Sequence, residues 1–84
     1  MNRKYYVVAG PYRLARKYAQ SQGWTDDQFV IVTRGHQLAA LDPQLMLKIS
    51  LVNVHTLGQA VYDEIRVAIE HIRALWPVPM VAAA

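Results

Sequence analysis

The stretch Phe29-Val-Ile-Val-Thr33 constrains the fold of this chain more than any other part of it. A strand with one face in water alternates apolar and polar residues, whereas this run stays apolar until Thr33. It needs cover on both faces, which is the situation of parallel sheets flanked by helices. Two further runs have a similar character. Tyr5-Tyr-Val-Val-Ala9 stops at Gly10, and Leu45 to Val54 is the third. In that third run Leu45, Leu47, Ile49 and Leu51 should share one face, with Lys48 and Ser50 on the other.

Helical spacing fills the intervals. Pro11 suits a first helical position, where its missing N–H costs nothing. Leu14, Ala15, Tyr18 and Ala19 then recur at helical spacing until Gly23 stops the helix, and Trp24 should fold back onto the core. Gln37 to Leu41 reads as a short helix closed by Asp42-Pro43. Thr56-Leu-Gly-Gln59 has the spacing of a capping box and predicts a long helix from about Leu57 to Leu75. Its apolar face would hold Val61, Ile65, Ala68, Ile69, Ile72 and Trp76, and Glu70 could pair with Arg66 and Arg73. The order predicts an α/β fold, a minimal three-stranded parallel sheet built as β-α-β-short α-β-α. The alternative pairs the second and third strands antiparallel, because residues 34–44 can bridge either arrangement.

Charge is distributed unevenly. A helix N-terminus carries about +0.5 of an elementary charge and favours carboxylates, yet Arg13, Arg16 and Lys17 crowd the start of the first helix. If the strands are parallel they end on one rim, where open α/β sheets bind ligands. That rim would gather Tyr12, Arg13, Arg16 and Lys17 with Arg34, His36, His55 and Thr56, an anion-binding constellation supplemented by helix N-termini. The plainer reading is a solvated cationic face. His36, His55 and Asp42 are the nearest approach to a metal set, and histidines at strand ends more often cap backbone groups. No metal, cofactor or catalytic residue is assigned.

Pro77-Val-Pro-Met-Val-Ala-Ala-Ala84 cannot continue the long helix. It reads as an apolar tail after a domain of residues 1–76, either a plain frayed end or, through Trp76, Val78, Met80 and Val81, a strip for docking a partner. The chain has 84 residues and a net charge of +3. A domain of that size is marginal alone, and an open sheet leaves two edges, so a homo-oligomer, a dimer first, is expected. The absence of cysteine excludes disulfides, thiolate zinc sites and a cysteine nucleophile. No run approaches the roughly 20 apolar residues of a membrane span, so the expected location is cytoplasmic.

The strand–glycine–helix opening invites comparison with nucleotide-binding folds, but Gly10-Pro-Tyr-Arg-Leu-Ala-Arg16 contains neither G-x-x-x-x-G-K-[ST] nor G-x-G-x-x-G. Ala9-Gly-Pro-Tyr12 is similar to the first strand end of nucleoside deoxyribosyltransferases. That family needs a carboxylate nucleophile, for which this chain offers only Asp42, Asp63 and Glu64, without matching surroundings. Over most of its length the chain resembles the short Rossmann-like or degenerate P-loop-like accessory proteins of actinobacteriophages. The likeness rests on Tyr5–Gly10, Tyr12-Arg13, Ala15, Tyr18-Ala19, Gly23, Phe29–Thr33, Leu38, Leu41 and Ile49–Val52. It implies a Rossmann-like fold and a phage setting in the host cytoplasm, with no mechanism. Where those proteins keep a glycine after the third strand, this chain has Asn53-Val-His55.

These observations lead to a small non-enzymatic binding or regulatory module that associates with itself or with a host protein. Nucleic-acid binding is the alternative, with Arg3, Arg13, Arg16, Lys17 and Arg34 on phosphates. A third reading is a nucleotide or phospho-metabolite binder using Tyr12, Arg13, Arg34, His36 and His55.

Overall fold

A computed structural model describes residues 3–39 and 41–83. The chain runs β1 (Lys4–Ala9), α1 (Tyr12–Ser21), β2 (Phe29–Val32), α2 (His36–Ala39), β3 (Met46–Val52), α3 (Gln59–Leu75) and β4 (Met80–Ala83), with 3₁₀ turns at Pro43–Leu45 and Val54–Thr56. The four strands form one parallel sheet in the order β2-β1-β3-β4. The fold is the expected α/β arrangement, and the antiparallel alternative does not occur.

The fourth strand is the main difference from the sequence reading. Residues 77–83 lead into the sheet and end as its fourth strand. Pro77 and Pro79 end α3 and hold the chain extended, and β3 offers an edge that Met80–Ala83 pairs with, Ile49 opposite Met80 and Ser50 opposite Val81. The amide of Ile49 donates to the Pro79 carbonyl at 2.9 Å just before the strand begins. Val78 is fully buried in the larger core cluster, so it is not available to a partner.

The crossovers explain why β2 is apolar on both faces although it is an edge strand. The step from β1 to β2 goes one way along the sheet, and the steps to β3 and β4 go the other, so right-handed connections put their helices on opposite faces. One face packs Val7, Ala9, Phe29 and Val52 against Ala15 and Ala19 of α1. The other packs Tyr6, Val8, Val32 and Ile49 against Leu38 of α2 and Ile65, Ile69 and Ile72 of α3. Trp24 folds back as expected, stacked on Tyr5 at 4.0 Å between centroids, with Tyr18 edge-on and the Lys48 ammonium 5.6 Å from its ring.

Two local expectations are corrected. A register shift between Lys4 and Tyr5 skips Leu47, so Met46, not Leu45 or Leu47, shares the core face with Ile49 and Leu51. The capping box does not form either. Gly58 is the N-cap of α3 and no side chain caps it. Thr56 instead belongs to a 3₁₀ turn and donates its hydroxyl to the Asn53 carbonyl at 2.7 Å, while Gln59 bonds Asp63 at 2.9 Å. Asn53 starts that turn in the left-handed region (φ 48°), which asparagine tolerates better than most residues. Among the described residues, no helix is long and apolar enough to cross a membrane.

Candidate functional site

Parallel strands bring their carboxyl ends to one rim. Because β1 and β3 are neighbours whose connections diverge, the crevice between them is the topological switch point where such sheets bind ligands. Here the protein fills it with its own chain. A Cβ built on Gly10 would collide with Thr56 Oγ1 and lie 3.2 Å from Thr56 Cβ. The glycine therefore admits the 3₁₀ turn against the end of β1, and Thr56 occupies the place of a ligand.

The expected basic rim is assembled only in part. Arg34 leaves β2 and meets Glu64 of α3 with a forked pair, Nε to Oε2 at 3.1 Å and NH2 to Oε1 at 3.2 Å. Glu64 Oε2 also accepts the Gly35 amide at 2.7 Å. The anion that Arg34 holds is thus a carboxylate of the same chain. Those bonds keep the Glu64 carboxyl below its ordinary value of 4.5, the Arg34 hydrogen bond being the largest cause and the Gly35 amide the next, and they raise Arg34. His36 lies close enough for its charge to lower Glu64 slightly further. A carboxyl lowered by folding adds stability above its unfolded value and loses it as pH falls through the folded value. Glu64→Gln should accordingly lower stability slightly at neutral pH, where the ionised carboxylate contributes fully, and flatten the acid limb below about pH 4.5 so that the two proteins converge at low pH, as read by urea melts across pH.

Arg16 is directed away from the rim, since its guanidinium pairs with Asp26 of the α1–β2 loop at 3.4 Å. Arg13 and Lys17 are exposed on α1 and take part in none of the ion pairs among the described residues. Tyr12 is 59% exposed at the helix start. His36, His55 and Thr56 are exposed at the same end of the sheet, and no three His, Asp or Glu side chains among the described residues come together as a metal set. Pro11 is the N-cap of α1, with no side-chain cap and no acidic residue in the first turn. Arg13 therefore sits against the helix dipole without compensation. Arg13→Glu should raise the melting temperature by about 2–5 °C in low salt, the shift shrinking as salt is added.

A second feature was not legible beforehand. The α3 helix has α2 on one flank, where Glu64 meets Arg34 and Gly35, and nothing among the described residues on the other. On that open flank an apolar groove of about 680 Å³ runs between α3 and the β3–β4 side of the sheet. Leu51, Val54, Ile65, Ile69, Pro77 and Met80 form its walls and floor, and Tyr62, Arg66, Glu70 and Arg73 line it from α3. Arg66 is engaged with Glu70 at 2.8 Å and Asp63 at 4.0 Å. Arg73 does not pair with Glu70 as its spacing allows; its Nε donates to the Val78 carbonyl at 3.2 Å, tying the helix end to the chain that enters β4.

Of the residues expected to meet a partner, Trp76, Met80 and Val81 are exposed (43%, 40% and 42%) and Val78 is not. No family model matches this chain, and neither the curated proteins nor the solved structures contain a match to it.

Proposed function

We propose that this protein is a non-enzymatic binding module that works by pairing the outer edge of β4 with a second copy of itself. The observation that carries this reading is the unprotected outer edge of β4. After β2 the amides of Thr33 and Arg34 are both taken by Gln37 Oε1, at 2.7 and 2.9 Å, and Arg34 is then tied to Glu64. Beyond β4 nothing pairs among the described residues, and Met80-Val-Ala-Ala83 has none of the charges, prolines or bulges that protect natural edges. Alternate residues of a strand share a face, so an antiparallel two-fold pairing must match parity. With Val81 opposite Val81, each Met80 faces an Ala82, large against small, in a continuous sheet with no β4 edge left open.

Sedimentation of the purified chain should show a dimer, and Val81→Lys should make it monomeric without lowering its helix content. A photo-cross-linking residue at position 81, in cells, separates the remaining cases. An adduct of twice the chain mass supports self-pairing. An adduct with a different protein moves the reading to a hetero-partner, a host protein in the phage setting that the resemblance implies. A monomer that forms no adduct overturns it. A second reading, nucleic-acid binding, is supported by Arg3, Arg13 and Lys17, since Arg34 and Arg16 have carboxylate partners. It requires an affinity that falls steeply with salt and disappears when Arg3, Arg13 and Lys17 are alanine.

A further inference from the structure

The geometry points to a ligand site in the groove between α3 and the β3–β4 side of the sheet, for a single-chain amphiphile with a carboxylate head. This goes beyond pairing at β4, because the groove is lined mainly from α3 and from Leu51, Val54 and Pro77, with Met80 as its one residue in β4. The groove exists for a reason of layout. Leu38 of the four-residue α2 and Ile65, Ile69 and Ile72 of α3 pack with Tyr6 and Val8 of β1 and Val32 of β2. That arrangement covers β1, β2 and Met46 and Ile49 of β3, and leaves Leu51 half-buried and Met80 40% exposed on the same face.

Its volume, about 680 Å³, falls inside the roughly 300–1,000 Å³ of small-molecule sites, and its walls are apolar like theirs. Such sites owe specificity to a few polar groups at fixed positions. Here those groups differ in availability. Arg66 and Glu70 neutralise each other. Arg73 has only a neutral carbonyl at Nε, and among the described residues its terminal nitrogens face no acceptor. A guanidinium fork beside an apolar trough selects a carboxylate attached to a hydrocarbon, and it binds that head with two parallel hydrogen bonds. A cationic amphiphile would meet Arg73 as a like charge, and a neutral one would leave the fork unmatched.

The test uses straight-chain carboxylates of increasing length, the matching alcohols and an alkyl trimethylammonium, each below its micelle-forming concentration. Binding is measured by calorimetry and by amide chemical shifts. The carboxylates should bind with affinity rising up to about fourfold per added methylene until the groove is full. Amide shifts should concentrate at Leu51, Tyr62, Ile69 and Met80. Alcohols should bind about tenfold more weakly, and Arg73→Met should abolish that difference while preserving alcohol binding. Should Arg73→Met fail to fold, because Arg73 also holds the Val78 carbonyl, Arg73→Lys keeps a charge without the fork and should lose part of the preference. Equal binding of all three head groups, shifts located elsewhere, or no binding at all would overturn the inference. Sedimentation of the same samples reports β4 pairing separately, so a dimer that binds no carboxylate leaves the pairing intact and removes only the ligand site.

Discussion

Val78→Asp is expected to unfold most of the protein at room temperature. Val78 is fully buried and packs in the same cluster as Leu38, Met46, Ile49 and Ile72. A carboxylate there would have to lose its hydration without gaining a partner, or take up a proton, and either route costs about 4 kcal/mol or more. An 84-residue domain has roughly 4–13 kcal/mol to lose in total. Val78→Ala is the milder form, costing about 2–3 kcal/mol and lowering the melting temperature by roughly 10–20 °C. Urea melts followed by circular dichroism measure both. The result separates two accounts of the C-terminal residues. A docking strip would tolerate either substitution with the fold intact and lose only its partner, whereas a buried hinge into β4 loses the fold itself. Small effects from both variants would show that residues 77–83 are dispensable to folding.

Gly35→Ala carries the second large effect. A Cβ at Gly35 would lie 2.5 Å from Glu64 Cγ, 2.8 Å from the Glu64 carbonyl oxygen and 3.0 Å from its carbonyl carbon. The side-chain atom can move, but the carbonyl belongs to the first half of α3 and moves only with the helix. Overpacking of this kind costs about 1–3 kcal/mol, and the displaced helix would also strain the Gly35 amide bond to Glu64. The diagnostic comparison is the double variant Gly35→Ala with Glu64→Ala. Because the carbonyl clash remains, the second substitution should not restore stability. Full rescue would mean that only the Glu64 side chain crowds the glycine.

The rim itself shows how far the residues could be read. Parallel strands were legible in Phe29–Val32, because four apolar residues in succession require cover on both faces, and the strands did bring Arg13, Arg34, His36 and His55 to one end of the sheet. What those residues do there depended on Glu64. It lies 30 positions from Arg34 along the chain. A signal was present, since a helix that follows β3 begins at the same rim and its early carboxylates must come near the cations. Spacing alone says nothing about which cation they reach, and Arg16 took Asp26 for the same reason of proximity.

By itself the sequence determined the alternation of strands and helices, the apolar faces and the Gly23 stop, all of which rest on residues within a few positions of one another. It also determined that α1 begins with cations, which no fold can remove. The tertiary structure decided the rest. Met80–Ala83 is too short and too alanine-rich to declare itself a strand, and it becomes one only because β3 presents an unpaired edge where Pro79 delivers it. Thr56 gives up its capping role because Gly10 leaves room for a turn at the switch point. The groove beside α3 arises from where the helices settle on the sheet, since a four-residue α2 packs on one flank of α3 and leaves the other uncovered. Local patterns depend on neighbours in sequence, whereas edges, fillings and cavities depend on which surfaces meet, and those meetings are fixed only when the whole chain has packed.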